Sequence, residues 1–263
     1  MRTRAWLTVG FTYFLMVWGN LVSATGSGLG CPDWPLCHGT ITPPFAREVF
    51  FEWGHRLIAF TTAVLICATI YQVLRSPKLS PSLKRLGRSL LFLLVIQILL
   101  GALTVLLGLS LIASTVHLMI ATFVFSGMIT LAHLISSQVS PSKNDKTAAK
   151  IKRLACAGLA GLLLQFVMGA ILRHGHLGLS CSQFPLCLEG FFPVPLDLGT
   201  ALAFTHRWWG VLLMGVFVHL FIASRKLERG NDFSKNIQSL SFGVLALALL
   251  QIMLGIWTVL SGV

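Results

Sequence analysis

Acidic side chains are scarce in this sequence, with 8 Asp and Glu against 20 Lys and Arg in 263 residues, and only 11% of positions are charged. A soluble domain carries about a quarter charged residues. That shortage, with a mean hydropathy of +0.82, excludes an ordinary water-soluble fold. A cleavable leader is not evident either: the apolar run up to Ala24 is too long for a signal-peptide core and lacks a small-residue cleavage site ahead of a soluble domain. It reads as a retained first span. The glycine-rich stretch Thr25-Gly-Ser-Gly-Leu-Gly30 has no strand before it and no phosphate-loop lysine, which removes a nucleotide site. The net charge of +12 does not indicate nucleic acid, because the basic residues sit in short loops between apolar runs and face membrane lipids instead.

What the sequence does contain is seven apolar runs, at roughly 5–25, 50–74, 87–109, 112–135, 153–173, 199–223 and 238–260. Each is long enough to cross a hydrocarbon core of about 30 Å at about 1.5 Å per residue. Lys and Arg concentrate at the N-terminus and in the segments 75–88, 138–153 and 224–237, and are nearly missing from the alternate loops. The positive-inside bias places the N-terminus in the cytoplasm of a multi-pass cell-membrane protein, and the loops 26–49 and 174–198 outside. The segment 138–152 is polar and reads as a cytoplasmic linker between domains at 1–137 and 153–263.

These halves repeat one another. Cys31-Pro-Asp-Trp-Pro-Leu-Cys37 matches Cys181-Ser-Gln-Phe-Pro-Leu-Cys187, and His55-Arg56 matches His206-Arg207. Gln97, Gly101, Thr104 and Gly108 match Gln251, Gly255, Thr258 and Gly262 in the same order. Three landmarks in one order indicate duplication. The expected fold is all-α and integral to the membrane, with tandem pseudo-symmetric four-helix bundles. The repeat places the partner of His117 near position 271, past Val263, so an eighth helix is expected to be missing from this chain.

The chemistry-bearing residues gather at the outer end of the first half. Glu52 and His55 are three residues apart and share a helix face, and ionisable groups in such helices usually mark function. His117 follows a short outer turn and so lies at similar depth, which suits two imidazoles ligating a haem iron. Zinc is disfavoured, because no third and fourth ligand converges there. Glu52 aligns with Ala203, so only the first half puts a carboxylate beside such a group, where it would serve as a base or stabilise developing positive charge. The plainer reading is an interfacial ion pair with Arg56. Arg56 and Arg207 suit anionic propionates, or simply snorkel.

The loop cysteines Cys31, Cys37, Cys181 and Cys187 lie on the oxidising side, where disulfide staples are plausible. A thiol relay stays open for the first pair. Cys67 and Cys156 read as buried small hydrophobes. His133 and His219 read as packed or snorkelling residues rather than ligands of a second haem. His38, His174 and His176 have no clear repeat partner. The tryptophans Trp6, Trp18, Trp53, Trp208, Trp209 and Trp257 fit an interfacial belt.

The stretch Ala24-Thr-Gly-Ser-Gly-Leu-Gly-Cys-Pro-Asp-Trp-Pro-Leu-Cys37, with Glu52-Trp-Gly-His-Arg56, His117 and Thr205-His-Arg207, resembles the haem A synthase family over nearly the whole chain. The resemblance implies oxidation of the C8 methyl of haem O to a formyl, giving haem A for cytochrome oxidase. It implies His55 and His117 as ligands of the substrate haem and Glu52 in catalysis. It also implies a cofactor haem b in the second half, ligated by His206 and a further histidine that this chain does not match, and a Cys31–Cys37 disulfide. Haem O synthase becomes a candidate partner, and the electron acceptor is left open. The competing expectations are a bis-histidine electron-transfer or haem-carrier protein, which has no need of Glu52, and a membrane thiol oxidoreductase, disfavoured by the wide cysteine spacing.

Overall fold

A computed structural model describes residues 1–136, 146–185, 187, 197–227 and 232–262. It contains seven α-helices: α1 (Arg2–Ala24), α2 (Arg47–Arg75), α3 (Pro81–Leu106), α4 (Leu111–Ser136), α5 (Lys146–His174), α6 (Leu198–Ser224) and α7 (Asp232–Ser261). All seven are long and apolar enough to cross a membrane. Among the described residues the only bridge is an isolated one between Cys37 and Thr40. The chain is thus an all-α integral membrane protein.

The helices overrun the expected spans at their basic ends. Helix α3 begins at Pro81, with Ser80 as N-cap accepting from the Leu83 amide. Helix α5 begins at Lys146, so the second half of the stretch read as a linker is helical. Lys and Arg are good helix formers, and a hydropathy reading stops where the hydrocarbon stops, not where the helix does. The remainder of that stretch, 138–145, lies outside the described residues.

The chain divides into two compact units, Met1–Gln138 and Val139–Val263. In the first, α1 packs on α2 and α4, and α3 packs on α2 and α4, closing a ring of four. The half of this bundle away from the cysteine loop is solid, with Ala5, Ile66, Ile70, Val73, Leu90, Met128 and Leu131 almost wholly enclosed. Small residues let the helices approach, as at Gly127 beneath Leu90 and Gly87 beneath Ile70. One buried polar contact crosses this core: the Thr8 hydroxyl donates to the Arg4 carbonyl (2.9 Å) and accepts from the Thr69 hydroxyl (2.8 Å). Thr69→Val is expected to cost about 0.6 kcal/mol, the usual worth of such a bond in a membrane, measured by unfolding in mixed detergent.

In the second unit α6 carries a capping box, in which Asp197 accepts from the Thr200 amide and Thr200 accepts from the Asp197 amide. Helix α6 packs on both α5 and α7. The Ser224 and Ser241 hydroxyls meet at 2.7 Å in the α6–α7 seam. Among the described residues of this unit α5 and α7 do not pack on each other, and Leu247, Met253, Trp257 and Leu260 of α7 are exposed.

Cys67 and Cys156, expected as buried hydrophobes, are free thiols on exposed helix faces. In a membrane such faces meet lipid, which a hydropathy pattern cannot tell from a protein interior.

Candidate functional site

The loop end of the first unit is where its core gives way to polar groups. His55 lies eight residues into α2 and His117 six into α4, about 12 Å and about 9 Å along at 1.5 Å per residue. The two imidazoles lie within electrostatic reach of each other.

Each ring packs on a glycine of a neighbouring helix. A Cβ on Gly19 of α1 would lie 3.1 Å from His55 Cε1, and one on Gly101 of α3 would lie 3.2 Å from His117 Cε1. In the second unit a Cβ on Gly169 of α5 would lie 3.1 Å from His206 Cε1. All three distances are tighter than nearly all real Cβ contacts, so these glycines are cradles that a side chain would fill. Gly255, the repeat partner of Gly101, has nothing within 4 Å. The side-chain amide of Gln97 reaches His117 Nε2 at 3.2 Å, and that of Gln165 reaches His206 Nε2 at 3.3 Å.

The Nδ1 atoms of His55 and His206 are buried and have no hydrogen-bond partner among the described residues. No three His, Cys, Asp or Glu side chains cluster among those residues. The His55 and His206 imidazoles, each edge-on to a glycine and with a buried Nδ1 unpartnered among the described residues, fit the faces of a planar metal complex; a polynuclear or zinc-type site needs converging ligands.

Glu52 lies one turn before His55 and is 6% exposed. Its Oε1 accepts from Arg56 Nε at 2.9 Å. The rest of the Arg56 guanidinium is turned to the cysteine loop, where Nη1 donates to the carbonyls of Asp33 (2.7 Å) and Leu36 (2.6 Å), and Nη2 to that of Cys31 (2.9 Å). The second unit repeats this arrangement. Arg207 Nη1 donates to the Gln183 carbonyl at 2.6 Å and Nη2 to the Cys181 carbonyl. Both arginines, read from sequence as propionate contacts, are therefore engaged by their own loops.

Both cysteine pairs form disulfides, Cys31–Cys37 and Cys181–Cys187, and all four sulfurs are enclosed. In the first loop His38 (φ 51) and Gly39 (φ 72) take the left-handed conformation. Their amides reach the Asp33 carboxylate at 2.7 and 2.8 Å. The Gly39 amide leads in holding that carboxyl below its usual value of 3.8, helped by the His38 amide and the Arg56 charge, against the opposing effect of desolvation. A carboxyl lowered on folding steadies the loop above its unfolded value and loses that effect as pH falls. The loop is expected to loosen below about pH 4, read by hydrogen exchange at the His38 and Gly39 amides. His38 Nε2 also lies 3.0 Å from the Gly30 carbonyl.

Trp18 donates to the Phe51 carbonyl, Trp53 to that of Ile41 and Trp209 to that of Gly161, so these rings tie elements together as well as lying near the ends. Sequence reasoning found the histidines, Glu52 and the loops. It gave no role to Gly19, Gly101 and Gly169, although Gly19 and Gly169 recur at the 150-residue spacing of the cysteines.

The cytochrome oxidase assembly protein family COX15-CtaA has a family model that matches residues 2–50 and 44–263. A heme A synthase from Bacillus licheniformis is 31% identical over 179 residues, covering 66% of this chain and 59% of that protein. One from Bacillus pumilus is 30% identical over 233 residues, covering 85% of this chain and 73% of its own length. One from Symbiobacterium thermophilum is 29% identical over 227 residues, covering 84% and 74%.

Proposed function

Because the chain belongs to the COX15-CtaA family of cytochrome oxidase assembly proteins, we propose that it is a haem-dependent membrane oxidoreductase converting haem O to haem A. The reaction oxidises a porphyrin methyl to a formyl by successive hydroxylations. The proposed substrate site is the loop end of the first unit, with His55 and His117 as the iron ligands. The observation that carries the assignment is the inequality of the repeat. Glu52 stands one turn from His55, whereas the matching place before His206 holds Ala203.

The two histidines fix the substrate by its iron, which sets the distance from porphyrin edge to carboxylate. Glu52, ion-paired with Arg56, supplies a fixed negative charge close to the reacting carbon. Positioned charge in a dry site is worth far more than in water. The glycine cradles hold the imidazole edges, and the Gln97 amide orients the His117 ring through Nε2.

In the second unit His206, on Gly169 and beside Gln165, is the proposed ligand for a haem b cofactor. A haem b held there would supply one-electron chemistry. We place the protein in the cell membrane with its N-terminus in the cytoplasm and the disulfide loops outside, because basic residues crowd the opposite ends. Haem O synthase and surrounding lipids are the proposed partners.

The test is pigment extraction after co-expression with a haem O source, followed by mass and absorption analysis. Haem A, or a hydroxylated haem O, is the expected pigment. Haem b alone from a competent host would overturn the assignment in favour of a haem-binding or electron-transfer protein.

A further inference from the structure

We propose that Arg56 is a positioning residue through which the closed Cys31–Cys37 loop holds the Glu52 carboxylate in place. The inference rests on Glu52 acting at the substrate site, as proposed above. It concerns how the loop disulfide reaches that site without thiol chemistry.

The guanidinium is planar and rigid, so its donors move as one body. Three of its hydrogen bonds go to loop carbonyls, of Cys31, Asp33 and Leu36, and the fourth, from Nε, goes to Glu52. The three carbonyls belong to a ring closed by a disulfide with a sequence separation of 6. While the ring is closed, they converge on one point. The Asp33 carboxylate, bonded to the His38 and Gly39 amides, braces the far side of the same ring. If the ring opens, the carbonyls lose their shared geometry, and the guanidinium that bonds both loop and carboxylate loses its anchor.

The second unit serves as an internal control. Arg207 makes the same bonds to Cys181 and Gln183, the repeat partners of Cys31 and Asp33, with Ala203 where Glu52 would be. The arginine-to-loop bonds therefore recur where that helix position carries no carboxylate. Three of the four Arg56 bonds go to loop carbonyls and one to Glu52, so the ion pair serves the carboxylate's placement more than the loop's stability.

The test reads the disulfides first. Purified protein is treated with a water-soluble phosphine, which donates the electron pair and ends as its oxide while water supplies two protons and the oxygen; the released thiols are alkylated and mapped by mass. Arg56→Gln is expected to speed opening of Cys31–Cys37 by at least about tenfold through loss of charge-assisted bonds, with Cys181–Cys187 unchanged in the same molecules. Arg207→Gln should do the reverse. Glu52→Gln should shift neither rate by more than about twofold, because the three Arg56 bonds to loop carbonyls stay in place. Arg56→Lys, which keeps the charge but not the fork, should fall between, and it carries the test if Arg56→Gln does not fold.

Turnover is measured next. Arg56→Gln and the paired Cys31→Ser, Cys37→Ser variant should each lower kcat with KM retained. Combined, they should fall no lower than the worse of the two. Unchanged opening rates in Arg56→Gln, additive losses in the combination, or full turnover without the cysteines would each overturn the proposal. If the unaltered protein makes no haem A, the reaction assignment falls, while the opening rates still decide whether Arg56 joins loop and carboxylate.

Discussion

Glu52→Ala is expected to lower formation of the formyl porphyrin by about a hundred- to a thousand-fold, the usual cost of removing one preorganised charged or donor group from an active site. The histidine-ligated absorption spectrum should persist. Two structural facts separate these outcomes. Glu52 is enclosed and contacts Arg56, not an imidazole. At its counterpart Ala203 the histidine and the arginine-to-loop bond recur with no carboxylate at that helix position. The measurement is single-turnover conversion of bound haem O, with the spectrum recorded on the same sample. Turnover within about tenfold of the unaltered protein would remove Glu52 from the chemistry, and loss of the spectrum would make it a structural residue.

Gly101→Leu is expected to dislodge His117 and convert a six-coordinate spectrum into a five-coordinate one. A Cβ at Gly101 already crowds the ring at 3.2 Å, and three further carbons leave the imidazole no place. Overpacking of this kind costs about 1–3 kcal/mol, enough to displace the ring while the core of Leu90, Met128 and Leu131, away from the cysteine loop, stays intact. Gly10→Leu is the control, since nothing lies within 4 Å of its Cβ position. Equal spectra for the two variants would show that the cradle does not govern ligation.

Much of this was legible in the sequence because membrane burial leaves a coarse signal. Apolar runs gave the seven helices, and the Cys, His-Arg and Gln-Gly landmarks gave the repeat. What stayed hidden was direction. Arg56 follows His55, and sequence alone allows its side chain to serve a ligand, the lipid interface or Glu52; only the folded loop shows three carbonyls waiting for it. Cys67 and Cys156 were misplaced for a related reason, since lipid-facing and protein-facing positions are equally apolar. The glycines were visible as repeat landmarks, but their role needs the distance to a ring on another helix.

Those glycine contacts make each imidazole a spacer as well as a proposed ligand. Helices α1 and α2, α3 and α4, and α5 and α6 meet at the thickness of a ring edge, 3.1–3.2 Å from where a Cβ would begin. A change of ligand type is then also a change of helix spacing. A methionine in place of His117 brings a thioether longer and softer than the ring it replaces, and the α3–α4 pair must close or shift to meet it. Redesigning the proposed haem ligands of this protein therefore means redesigning the glycine across the seam in the same step.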